Sequence, residues 1–140
     1  MKVFTPNTVI VSSEINGNFD ELKTVTDSYT AKGFVAPDSG WIAPTFVNNW
    51  VNYGGGYNTA GYRKDAMGYV HLRGLIKSGT AAQNAFVLPA GYRPEMRELL
   101  SVQSNDTEGR IDVLTTGDVL MQGISNIWVC LDGLTFKAYQ

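Results

Sequence analysis

Cysteine is nearly absent: the 140-residue chain has a single one, Cys130. One thiol excludes an internal disulfide and a Cys-rich zinc site, so stability must come from packing and, where copies associate, from subunit contacts. Cys130 sits between Val129 and Leu131 beside Trp128, and is read as a buried small hydrophobe without a redox role. Histidine is as scarce, with His71 alone, and no HExxH, HxH or CxxC spacing occurs. A metal centre would have to be built from that imidazole and carboxylates, so no metal and no other cofactor is expected. Basic clusters are missing too. The longest Lys/Arg run is Arg63-Lys64 and the formal net charge is -2, which gives nucleic acid no electrostatic footprint. No stretch approaches the roughly 18 apolar residues of a membrane span, so membrane insertion is not expected. Residues Met1 to Glu14 lack the h-region and small-residue cleavage site of a signal peptide, and synthesis in a cytoplasm is expected.

Catalytic equipment is equally sparse. No G-x-S-x-G elbow accompanies His71. Gly54-Gly55-Gly56 is not followed by Lys-Ser/Thr and is no P-loop; such a run suits a bend, a bulge or close backbone approach. Asp106, Glu108 and Asp112 are close in sequence, but they lie in and after a polar loop and read as solvated charge rather than as convergent glycosidase carboxylates. An enzyme is not expected.

What is present favours strands. Hydrophobic residues make up 44% and charged residues 17%, enough for one real core. Fifteen glycines and an aromatic share of 11% suit short strands joined by tight turns. The exception is a helical segment over roughly Ser13 to Tyr29, capped by Ser12 or Ser13. Its Ile15, Phe19, Leu22, Thr26 and Tyr29 recur at heptad spacing. Such a stripe needs a partner: either its own β domain or the same stripe of two other copies. Gly33, Pro37 and Gly40 then break the chain. The expected organisation is residues 1–36, an extended segment and helix for attachment and trimerisation, and 37–140, a β head.

Within the head, Tyr69 to Lys77 alternates, with Val70, Leu72, Gly74 and Ile76 on one side and Tyr69, His71, Arg73 and Lys77 on the other; Leu75 breaks the pattern. Asp65 to Gly68 reads as the turn of a hairpin with Tyr57–Lys64. Further strands are expected at Arg110–Thr115, Val119–Gln122, Trp128–Leu131 and Leu134–Tyr139, with Asp132-Gly133 as a tight turn. The fold class is therefore all-β, an antiparallel sandwich or barrel preceded by a short α-helix. Val70, Leu72, Ile76, Ile111, Val113 and Val129 are the expected core, with Trp50 and Trp128 leaning the same way. The polar face of the hairpin collects Tyr57, Arg63, Tyr69, His71 and Arg73. Aromatic plates beside Arg and His donors suit a hydroxylated, even anionic, sugar. The same residue types are enriched at subunit interfaces, and both uses can coexist in a cleft between copies.

Two segments resemble a known family. Asn7-Thr8-Val9-Ile10 through Ile15-Asn16-Gly17-Asn18-Phe19-Asp20 is similar to an opening common in phage tail fibres and related virion proteins. Trp50-Val51-Asn52-Tyr53-Gly54-Gly55-Gly56-Tyr57, Tyr62-Arg63-Lys64-Asp65, Val70-His71-Leu72-Arg73-Gly74 and Leu88-Pro89-Ala90-Gly91-Tyr92-Arg93-Pro94 resemble the C-terminal head of phage tail fibres and receptor-binding proteins. The resemblance implies a homotrimeric β head at a virion tail tip or fibre. Its partners would be host cell-surface polysaccharide or a teichoic-acid-like glycan, and other tail or baseplate proteins through the N-terminus. It does not hand over ligand residues. The alternative function is a structural fibre or baseplate decoration without a saccharide site. A long shaft is missing, which fits a fragment or a short accessory fibre held by its first 30 residues.

Overall fold

The structure, a computed structural model, describes residues 12–31 and 38–139. The chain divides into two compact units, Met1–Ala36 and Pro37–Gln140. The described part of the first is one helix, α1 (Ser12–Ala31), two residues longer than expected at its C-terminal end and one at its start. Lys23 pairs with Asp27 one turn on, at 2.7 Å, and Thr24 Oγ1 donates to the Asp20 carbonyl at 2.9 Å. Both contacts are exposed and add at most a few tenths of a kcal/mol. No described helix is long and apolar enough to cross a membrane.

The second unit is antiparallel β throughout. Its strands are β1 (Val51–Asn52), β2 (Gly61–Lys64), β3 (Tyr69–Arg73), β4 (Leu75–Lys77), β5 (Asn84–Val87), β6 (Glu98–Ser104), β7 (Thr107–Val113), β8 (Asp118–Gln122), β9 (Val129–Cys130) and β10 (Thr135–Lys137). Seven form one sheet in the order β1-β4-β9-β6-β7-β8-β5, and three form a second in the order β10-β3-β2. A single apolar cluster draws side chains from both sheets. It holds all six expected core residues, each at most 1% exposed, together with Trp50, Phe86, Leu88, Val119, Met121, Leu131 and Phe136. Trp50 lies flat on Gly79, where a Cβ would fall 1.9 Å from its ring. Fully burying one such large apolar side chain is worth about 1.5–3 kcal/mol.

The expected single strand Tyr69–Lys77 is two strands in two sheets. Leu75 pairs with Cys130 on one side of the break and His71 with Thr135 on the other. Between those pairs, Leu72, Arg73 and Gly74 face the four residues Leu131 to Leu134, which close a turn with Leu134 N–H on the Leu131 carbonyl at 3.4 Å. The ladder bends there and passes from one sheet into the other. Gly74 allows it with φ +108°, a conformation closed to other L-residues. Its N–H donates to Asp132 Oδ1 at 2.7 Å and its carbonyl accepts from Leu131 N–H at 2.8 Å. Asp132-Gly133 is thus a turn as expected, but it joins two sheets. Leu75, the misfit in the alternation, is the first residue after the bend.

The chain ahead of β1 runs across both sheets. Ile42 bridges to Tyr62 on β2 and Phe46 to Phe86 on β5. Ser39 N–H donates to the Lys64 carbonyl at 2.9 Å, and Lys64 N–H returns to Ser39 Oγ at 2.9 Å. This strap lays Asp38 and Trp41 beside the outer face of the three-stranded sheet.

Candidate functional site

The outer face of the three-stranded sheet is built by alternation. Inward go Tyr62, Val70, Leu72 and Phe136, all buried; outward go Arg63, Tyr69, His71, Arg73, Thr135 and Lys137. Register places Arg63, His71 and Thr135 in one row, Tyr69 opposite Lys137, and Arg73 opposite Gly61. Four of the five residues expected at a saccharide site therefore share one face.

Asp65 organises one end. Its Oδ1 accepts the N–H groups of Met67 at 2.9 Å and Tyr69 at 3.0 Å, which shapes the β2–β3 turn. Its Oδ2 lies 2.7 Å from His71 Nε2. A carboxylate only accepts, so Nε2 donates, and Nδ1 shares a hydrogen bond with the Thr135 hydroxyl at 3.1 Å. The hydrogen bonds from His71, Tyr69 and Met67 hold the Asp65 carboxyl below the usual carboxylate range. His71 is fully engaged.

Trp41 organises the other end. The guanidinium carbons of Arg73 and Arg63 lie 4.4 and 5.1 Å from the centre of its ring. Gly61 makes room, since a Cβ there would stand 3.2 Å from Arg73 Nε and 3.4 Å from the indole. Arg63 also pairs with Asp38 at 2.7 Å, and its charge is compensated. Arg73 has no carboxylate partner among the described residues. Lys137 Nζ lies 4.7 Å from the centre of the Tyr69 ring and donates to the Met67 carbonyl. The face thus offers an aromatic plate at Trp41, a guanidinium at Arg73 with no carboxylate partner among the described residues, and the partly covered ring of Tyr69. Sequence reasoning missed the contributions of Trp41 and Asp38, because the strap that carries them is remote from the hairpin and shows no period.

Tyr57 is a correction. The expected strand Tyr57–Lys64 begins only at Gly61, and Tyr57 belongs to the preceding loop. There it packs edge-on against Tyr53, with ring centres 5.5 Å apart, beside a cleft on the outer side of the seven-stranded sheet. Trp128, expected in the core, also lines that cleft. So does Cys130, whose sulfur points outward 3.9 Å from Asp132 Oδ2 while Val129 and Leu131 point in. Asp112 is a further correction: expected in solvent, it is fully buried beneath two arginines. Arg110 Nε approaches Oδ1 at 2.7 Å, as an ion pair without hydrogen-bond direction, and Arg97 bonds Oδ2. No group of three or more potential metal ligands exists among the described residues. On α1, Phe19 and Leu22 are 64% and 46% exposed, whereas the side chain of Ile15 lies outside the described residues.

No protein-family model matches the chain, and no curated protein matches it significantly. Among solved structures it is similar to the crystal structure of the receptor binding protein (gp15) of Listeria phage PSA. The TM-score is 0.65 at 17% identity, over 96% of this chain and 90% of that chain. The two share a fold along nearly their whole lengths, helix and β unit included.

Proposed function

We propose that the chain is a receptor-binding head of a phage tail fibre or tail tip that binds host cell-surface saccharide as a homotrimer and has no catalytic activity. The observation that carries this reading is the fold shared, end to end, with a phage receptor-binding protein. The outer face of the three-stranded sheet supports it chemically. Arg73 keeps its charge and outer N–H groups beside the Trp41 ring, which suits an anionic or phosphate-bearing glycan such as a teichoic-acid-like polymer. Exposed Phe19 on α1 supports assembly of helices from three copies, and the N-terminal region would hold other tail or baseplate proteins. Three linked shallow sites would raise overall affinity by roughly 10²–10⁴.

The second reading, a structural fibre without a saccharide site, is favoured by one observation: Arg63 and His71 are already paired within the chain. Arg73→Ala separates the two. Light scattering should give three times 15.3 kDa for both wild type and variant, and the variant should lose most adsorption to host cells or to an anionic glycan on an array. A trimer that falls apart assigns the face to the subunit interface. Unchanged trimer and unchanged adsorption remove it as a receptor site.

A further inference from the structure

The loop between β1 and β2 is fastened in a way that a mere connection does not need. Tyr53 N–H donates to the Leu75 carbonyl at 2.8 Å, and Leu75 N–H donates to the Asn58 carbonyl at 3.1 Å. One residue of β4 therefore ties down both ends of residues 53–58. Asn52 Oδ1 accepts Ala60 N–H at 2.7 Å, and Tyr57 N–H closes on the Gly54 carbonyl at 3.3 Å. Between these ties Gly54, Gly55 and Gly56 all take positive φ, from +65° to +88°, which turns the chain so sharply that Tyr57 comes back against Tyr53. The loop is a compact Ω-type structure with its ordering entropy already spent in folding.

It holds Tyr57 at the wall of a cleft of ≈ 330 Å³, with Trp128 as another wall, Leu75 and Gln103 in its lining, and Asp132 at one side. Tyr53 meets Tyr57 at 84°, and Lys77 Nζ occupies one side of the Tyr53 ring at 4.7 Å. Tyr57 remains 60% exposed. A second shallow depression continues past Gln103 and Asp132 towards Glu108. Among the described residues no cation lines either one, Lys77 lying on the Tyr53 ring. Aromatic surface beside acceptors and an amide is the equipment that binds the C–H face of a sugar ring and its hydroxyls. The carboxylates Asp132 and Glu108 repel phosphate or uronate groups. The chemistry is opposite to that around Arg73.

We infer that this cleft is a second ligand site, which takes an uncharged pyranose residue stacked on Tyr57 and Trp128 with hydroxyls bonded to Asp132 and Gln103. The inference rests on the receptor-binding reading and adds a neutral-sugar subsite to it. A glycan with neutral and anionic units could then be gripped by two chemically distinct faces.

Saturation-transfer NMR on the full chain with methyl glycosides of glucose, galactose, rhamnose and N-acetylglucosamine tests it. At least one should receive magnetisation at its ring C–H protons. Tyr57→Ala and Trp128→Ala should each weaken binding tenfold or more. Asp132→Asn, which keeps the acceptor for Gly74 N–H, should weaken it severalfold. Transfer that survives Tyr57→Ala overturns the inference. So does a drop in assembly mass on Tyr57→Ala, which would make the cleft a contact between copies. If no glycoside binds while wild type adsorbs to host cells, the cleft is not a sugar site and the receptor-binding reading stands. If wild type neither binds glycosides nor adsorbs, both fall.

Discussion

Replacing Gly74 with alanine tests the bend that joins the two sheets. A side chain at φ +108° costs about 1–3 kcal/mol in backbone strain. The added Cβ would also stand 2.5 Å from the Ala60 nitrogen and 2.6 Å from its Cα, so backbone must move. Moving it strains three bonds: Ala60 N–H to Asn52, Gly74 N–H to Asp132, and Leu131 N–H to Gly74. Losing two of them at about 1 kcal/mol each brings the total to about 3–5 kcal/mol. Gly133, across the same bend, is the internal control. It has φ +83° but open space where a Cβ would go, so Gly133→Ala bears the strain without the overlap and costs about 1 kcal/mol. At about 4–5 °C per kcal/mol for a domain of this size, thermal melting followed by circular dichroism should fall by about 12–25 °C for Gly74→Ala and about 5 °C for Gly133→Ala. Complete loss of the cooperative transition for Gly74→Ala is the extreme of the same outcome. Equal melting temperatures for the two variants would refute the reasoning.

Acid should expose the role of Asp65. Its folded-state pKa lies below the ordinary 3.8, so its contribution is full above that value and is lost as pH falls through the lower one. Melting temperature should therefore drop from about pH 4 downward, and Asp65→Asn should flatten that limb; an unaltered slope contradicts the assignment. Residues 37–140, expressed without α1, should melt cooperatively, because the buried apolar core of the described residues lies between Trp50 and Ala138. A non-cooperative product would mean that the helix is needed for the β unit to fold.

The sequence was most readable where period-2 alternation ran undisturbed. Val70 and Leu72 inward with Tyr69, His71 and Arg73 outward is a plain pattern, and it located the face of the three-stranded sheet. The alternation runs on through Gly74 to Ile76, which is buried as expected, but it could not show that the chain passes at Gly74 from one sheet into the other, because only the pairing partners reveal that. Tyr57 was misplaced because three glycines erase the period ahead of it. The strands β1, β5 and β6 were not singled out: β1 is two residues long, β5 carries an irregular register, and β6 buries only part of its inner side. Asp112 was not read as buried: Arg110 stands only two residues away, but the second arginine over it, Arg97, comes from the segment ahead of β6, where no local pattern points to the carboxylate.

The three-stranded sheet has a further property that follows from its strand order. His71 and Thr135, neighbours in one row of its outer face, are 64 residues apart in the chain. Between them the ribosome must produce β4 to β9, that is, most of the larger sheet. While that happens β3 has one open edge, and Val70 and Leu72 have no Phe136 beside them. Contacts this distant close late and slowly. The face that carries Arg73 is therefore among the last parts of the head to be completed during synthesis, and an interrupted chain that stops before Thr135 would display an unpaired, half-apolar strand edge instead of a binding surface.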